Sequence, residues 1–230
     1  MNRAHVYAVA LLVLGFSAHE ASALTIPYFD NFNSITTSQL NTAPAGWTAI
    51  DGTVDSIKSG TYGITCFGGS GGCVDLDGST DKAGYLVTSG TFNLVAGQTY
   101  RLSAQISGNQ RGAVPDNLIF GFFNTSDLVL ASKTIKGIAS SSPFTLYSVL
   151  FTPTTSVTGE VFFYDVLGNN DQGPILDNVR VTDTTVPLPA AAWLMLSGLA
   201  ALGAFARRRI SGATRASNLE APGERSTSGS

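Results

Sequence analysis

Thr99–Ser107, TYRLSAQIS, alternates without a break. Tyr100, Leu102, Ala104 and Ile106 are apolar, and Arg101, Ser103 and Gln105 between them are polar. A period of two is the signature of a strand with one buried and one wet face. The Ala96-Gly97 turn precedes it and Gly108-Asn109 follows it. Downstream, Leu118–Phe123 is apolar on both faces, which suits a central strand. Leu128–Lys136 follows an Asn124–Asp127 turn, and Phe144–Phe151, Glu160–Asp165 and Ile175–Thr182 complete the series. Upstream, the β-rich runs are Tyr28–Phe32, Trp47–Ile50, Val54–Lys58, Val74–Gly78, Gly84–Thr88 and Thr91–Leu94. Helical periodicity is nearly absent and no βαβ unit is visible. About ten short strands between Gly, Asn, Asp and Pro turns predict an all-β, antiparallel, jelly-roll-like β-sandwich. No internal repeat is seen.

The ends of the chain do not belong to this pattern. Arg3 gives a positive start, Val6–Phe16 is a short apolar run, and Ala21-Ser22-Ala23 is a small-x-small site. Residues 1–23 therefore read as a signal peptide cleaved after Ala23. At the other end, residues 186–209 read VPLPAAAWLMLSGLAALGAFARRR. The uncharged run from Ala190 to Ala206 spans about 25 Å as a helix, enough for a short transmembrane helix. The arginines on one side predict that this side stays in the cytoplasm.

This order of Pro motif (Val186, Pro187, Leu188, Pro189), apolar helix and basic cluster (Arg207, Arg208, Arg209) resembles the PEP-CTERM sorting signal of Gram-negative bacteria. Leu188 stands where the namesake motif has Glu, so the match is to a VPLPA-type variant. The chain also continues from Ile210 to Ser230, a tail expected to be disordered. The resemblance implies export, temporary anchoring in the membrane, and cutting near the motif by an exosortase-type membrane protease. The protein would then reside at the cell surface or in the extracellular matrix. The domain plan is a signal peptide at 1–23, a body at 24–183, a sorting signal at 184–209 and a tail at 210–230.

The body of about 160 residues suits one domain with a full core. It holds seven Lys and Arg against thirteen Asp and Glu, a net charge of −6. That balance argues against a nucleic-acid partner, which needs clustered cations. Both histidines, His5 and His19, lie in the signal peptide. The mature chain therefore has no Ser-His-Asp triad, Cys-His pair or histidine metal site. Cys66 and Cys73 bracket CFGGSGGC. After export a disulfide across this short, flexible loop is the expected state, with a thiolate nucleophile or metal pair as the alternative. The glycines are not a phosphate loop, because the GK[ST] ending is missing.

The string CVDLDGST…GYLVTSGTFNLVAGQTYRLSAQISGN and the ending GPILDNVRV resemble galactose-binding-like β-sandwich domains of extracellular proteins. The resemblance implies a sugar-binding or cell-wall-associated module, and a structural calcium in many members. A jelly roll sets its first and last strands side by side, which would bring Asp30 to Asp177 as oxygen ligands for calcium. The alternative is that both simply bond turn amides. Asp75-Leu76-Asp77-Gly78 lacks the Glu of a calcium loop and reads as a turn.

For a sugar, aromatic platforms and nearby amide or guanidinium donors are needed. Trp47 and Tyr62, with Asn109, Gln110 and Arg111, are the candidates, against core packing or loop solvation for each. Trp47, after Pro44-Ala45-Gly46, has a core plug as its competing reading. A hydrolase would need paired carboxylates, and nothing in the spacing around Glu160 selects a pair. The function expected is non-catalytic: an exported module associated with carbohydrate or exopolysaccharide. A structural matrix protein and a carboxylate-dependent glycan-acting enzyme are the alternatives.

Overall fold

The computed structural model describes residues 22–80, 82–112, 114–166 and 168–184. The sorting motif with Arg207, Arg208 and Arg209, the expected membrane helix and nearly all of the expected signal peptide lie outside the described residues. Among the described residues, no helix is long and apolar enough to cross a membrane.

The described residues form thirteen strands: β1 (Ala23–Leu24), β2 (Tyr28–Asp30), β3 (Trp47–Ile50), β4 (Asp55–Lys58), β5 (Gly72–Asp75), β6 (Tyr85–Thr88), β7 (Thr91–Leu94), β8 (Thr99–Ser107), β9 (Asp116–Asn124), β10 (Val129–Ile138), β11 (Thr145–Phe151), β12 (Val157–Asp165) and β13 (Ile175–Thr184). They form two sheets. In sheet A, β10, β9 and β12 run side by side. The far edge of β12 is shared by β7 at Val157–Gly159 and β6 at Phe162–Phe163, and β3 follows β6. In sheet B, β11, β8 and β13 run side by side. The far edge of β13 is shared by β5 and β2, and β4 lies beyond β5. In the ladders between the described strands the architecture is the expected antiparallel β-sandwich with one exception. The two-residue β1 pairs parallel with β7, through Ala23↔Thr91 and Leu24↔Phe92.

The alternation in β8 is realised as read. Tyr100, Leu102, Ala104 and Ile106 are buried between the sheets, and Arg101 is exposed. They meet Leu118, Phe120, Phe122, Val161 and Phe163 of sheet A and Val179 and Val181 of β13 in one core. Phe120 stacks on Phe163 at 5.6 Å between centroids. Each such fully buried phenyl contributes about 2–3 kcal/mol of apolar burial. A smaller cluster of Ile57, Ile64, Cys66, Cys73 and Ile175 lies apart from it. Cys66 and Cys73 are joined by a disulfide at its centre.

Candidate functional site

Sheet A is apolar on its outer face as well. In β12 the inward residues Val161 and Phe163 alternate with Phe162 and Tyr164. In β9, Phe120 and Phe122 alternate with Ile119, Gly121 and Phe123. In β6, Leu86 alternates with Tyr85 and Val87. Val87, Phe123 and Phe162 form a separate buried cluster, packed against Tyr85 and Ile119. Phe123 stacks flat on Phe162 (3.8 Å, 9°) and Tyr85 on Tyr164 (4.0 Å, 7°). The register places Gly121 opposite Phe162. A Cβ at Gly121 would lie 1.9 Å from the Ala131 carbonyl oxygen, so only glycine fits there.

A groove of about 320 Å³ runs over this strip, lined by Ile50, Tyr85, Val87, Phe123 and Val129 and by the carboxylates of Asp51 and Asp127. Ile50 and Val129 are about half exposed. Asp51 is ion-paired to Lys82. Glu160 lies opposite Phe123 in the ladder. Burial raises its carboxyl above the ordinary range, and Asp127 adds to the shift. Tyr85 is raised mainly by burial, then by Tyr164 and Asp51. The half-buried rings of Tyr85 and Tyr164, with acceptor oxygens beside them, offer the two things a pyranose needs, a flat apolar surface and partners for its hydroxyls.

A second group of acids is interior. Asp75 and Asp77 are fully buried, and Asp116 and Asp165 nearly so. The Arg111 guanidinium donates to Asp75 Oδ2. The backbone N–H groups of Asp77 and Gly173 donate to Asp75 Oδ1 at 3.2 and 2.9 Å. Burial nevertheless pushes the Asp75 carboxyl up to about 8. Asp77 Oδ2 accepts from the N–H groups of Asn170 and Gln172 at 3.0 and 3.4 Å. Asn109 Nδ2 donates to Asp116 Oδ2 at 3.1 Å. Burial, and then the charge of Asp165, push Asp116 up to about 7. These acids tie the loops at 75–80, 109–116 and 168–173 together. The segment Asp75–Gly78 is thus more than the turn its composition suggests.

The residues expected to bind sugar do not form one surface. Trp47 is 5% exposed, and its indole N–H donates to Asp30 Oδ2 at 2.8 Å. Its ring is part of the core, against Phe32 and Phe163, and no sugar can stack on it. Asn109 is fully buried, and Arg111 is occupied by Asp75. Gln110 bridges the backbone of Thr65 through both ends of its amide. Tyr62 is exposed on the 59–64 loop. The signal for the sheet A strip was present in Val161–Tyr164 and Leu118–Phe123, whose outward positions are as apolar as their inward ones. That double apolarity marks an apolar outer face as well as a central strand.

β2 does lie beside β13, with Asp30 opposite Val179. Each of the four oxygens of Asp30 and Asp177, however, already accepts a protein N–H. Phe32 and Trp47 donate to Asp30, and Asn178 and Phe67 to Asp177. Among the described residues no cluster of three or more His, Cys, Asp or Glu is arranged to hold a metal ion. This is the arrangement of the alternative reading, in which both carboxylates bond nearby N–H groups.

No protein-family model matches the chain, and no curated protein matches it. Solved structures with a similar chain path include an arabinose-bound GH51 α-L-arabinofuranosidase (16% identity, TM-score 0.48), where the match covers 64% of this chain and 25% of that one. Another is the CBM22-1 xylan-binding domain of Paenibacillus barcinonensis Xyn10C (12% identity, TM-score 0.43; 65% and 94% covered). A third is the K1 cleaved adhesin domain of Lys-gingipain from Porphyromonas gingivalis W83 (19% identity, TM-score 0.42; 65% and 98% covered).

Proposed function

We propose that this chain is an exported, non-catalytic carbohydrate-associated module of the cell surface or extracellular matrix, and that a polysaccharide lies along the outer face of sheet A. The observation that carries this reading is the stacked pair of half-buried tyrosines, Tyr85 and Tyr164, set beside the buried Phe123 and Phe162 on a face that an ordinary sandwich would make polar. Export rests on the signal-peptide pattern at residues 1–23 and on the disulfide. Sorting by an exosortase-type protease rests on the order of Val186-Pro187-Leu188-Pro189, apolar run and Arg207–Arg209.

The test of binding is affinity electrophoresis of the chain in gels containing neutral polysaccharides, xylan and β-glucans among them. Retardation in at least one polymer is expected, with loss in the Tyr85→Ala/Tyr164→Ala double variant at an unchanged circular dichroism spectrum. Identical mobility of both proteins in every gel would sink the reading. Sorting is tested separately by mass spectrometry of the C-terminus of the mature protein. An end beyond Arg209 would show that the signal is not removed.

A further inference from the structure

We propose that the outer face of sheet B is a second, separate site, which takes an acidic polysaccharide through the carboxylates of its uronate units. The outward residues of β8 are Arg101, Ser103 and Gln105, and those of β13 include Arg180 and Thr182. The register sets Thr182 opposite Arg101 and Arg180 opposite Ser103. The two arginines are therefore diagonal neighbours on one face, about 7–8 Å apart at Cα. Both are exposed, and among the described residues neither takes part in an ion pair. The domain is net acidic, yet this face offers two guanidiniums with nothing anionic paired to them. Of the carboxylates on β13, Asp177 has its oxygens filled by the N–H groups of Phe67 and Asn178, and Asp183 forms no ion pair with either arginine.

The face is also shaped. Arg180 lies over the ring of Phe29, its partner across the ladder, at 4.8 Å. The stack orients the guanidinium and leaves its edge free to donate. Phe29 is itself 50% exposed and offers a platform for a sugar ring. A cleft of about 440 Å³ lies among Phe29, Arg101, Gln105, Leu146, Asn178 and Arg180. Gln105 Oε1 is buried on this face and accepts no hydrogen bond among the described residues. A sugar hydroxyl would supply the donor it lacks. Asn178 enters the cleft because β13 has a bulge between Asp177 and Arg180, with Asn178 at φ 49°. A guanidinium fork matches a carboxylate bidentately, which a neutral glycan cannot exploit.

The experiment compares polygalacturonate, its fully methyl-esterified form and dextran sulfate as ligands of the full chain, by calorimetry and affinity electrophoresis. Polygalacturonate should bind and the ester should not. Arg101→Ala/Arg180→Ala should weaken binding about tenfold or more, as expected when charged hydrogen bonds are lost. Arg180→Lys, which keeps the charge but not the fork, should weaken it less. Tyr85→Ala/Tyr164→Ala should bind polygalacturonate like the parent, so this site can fail or stand apart from the one on sheet A. Any one of three results overturns the proposal: equal binding of the methyl ester, equal binding of dextran sulfate, or unchanged affinity in the double arginine variant.

Discussion

The indole N–H of Trp47 donates to Asp30 Oδ2 at 2.8 Å, a bond from one sheet to the other, since Trp47 belongs to β3 of sheet A and Asp30 to β2 of sheet B. The other Asp30 oxygen receives the Phe32 N–H at 2.8 Å, so the carboxylate also sets the turn that brings Phe32 into the core. Trp47→Phe keeps most of the ring and deletes the donor. A loss of about 1–3 kcal/mol is expected, because a largely enclosed charged acceptor is left without its partner. Urea denaturation measures it. A change below the error of the measurement would show that solvent satisfies Asp30 in the variant.

Arg111 and Asp75 form an enclosed ion pair, with Asp75 fully buried. Removing only the cation strips Asp75 Oδ2 of its donor in the interior, and a buried acceptor left without its partner costs about 1–3 kcal/mol. Arg111→Ala is therefore expected to be among the more destabilising single changes near the domain surface. Replacing both partners, as Arg111→Met with Asp75→Asn, should recover part of the loss. Equal stability of the single and the double variant in denaturant titrations would contradict this.

Stability should fall as pH rises across the neutral range. Burial pushes Asp116 and Asp177 up to about 7 in the folded chain, above an unfolded value of about 4. Between those values the folded chain holds protons that the unfolded chain releases. The stabilisation is complete below about pH 4 and lost as pH passes about 7. Tm measured from pH 5 to pH 8 should decline, and Asp116→Asn should flatten part of that slope. A Tm that climbs over the same interval would show that these carboxyls are charged in the folded state.

The Cys66–Cys73 bridge spans a sequence separation of only 7. A loop this short removes little unfolded-chain entropy, so Cys66→Ala/Cys73→Ala should cost about 2 kcal/mol or less. Cys66, Cys73, Ile57, Ile64 and Ile175 form their own cluster, apart from the outer face of sheet A. Binding measured on the sheet A face should therefore be unchanged in the double variant. A parallel loss of glycan retardation would show that the two regions are coupled.

The fold was open to reading because its signal is local. The alternation of Tyr100 to Ile106 states which face of β8 is buried, and no distant residue alters that. The apolar run of β9 likewise marks a strand with neighbours on both edges, β10 and β12. The sites were harder because they are made by register. Tyr85 and Tyr164 are far apart in sequence and stack only because β6 pairs with β12. Arg101 and Arg180 share a face only through the β8–β13 ladder. The candidates that composition favoured, Trp47 and Asn109, were drawn from turns, and the chain uses both as interior parts. An aromatic after a Pro-Ala-Gly turn says nothing of which way its ring points. The paired strands decide that.

The placement of β13 has a mechanical consequence. Among the described residues it is the last strand, ending at Thr184, yet it is held on both edges, by β8 along one side and by β2 and β5 along the other. Tension entering the domain at Thr184 runs along the strand axis and loads those ladders in shear, so that many bonds must yield together. A terminal strand on the margin of a sheet would instead peel away one bond at a time. Pulling on the chain from position 184 should accordingly give one abrupt, high-force rupture, the behaviour of a tether root.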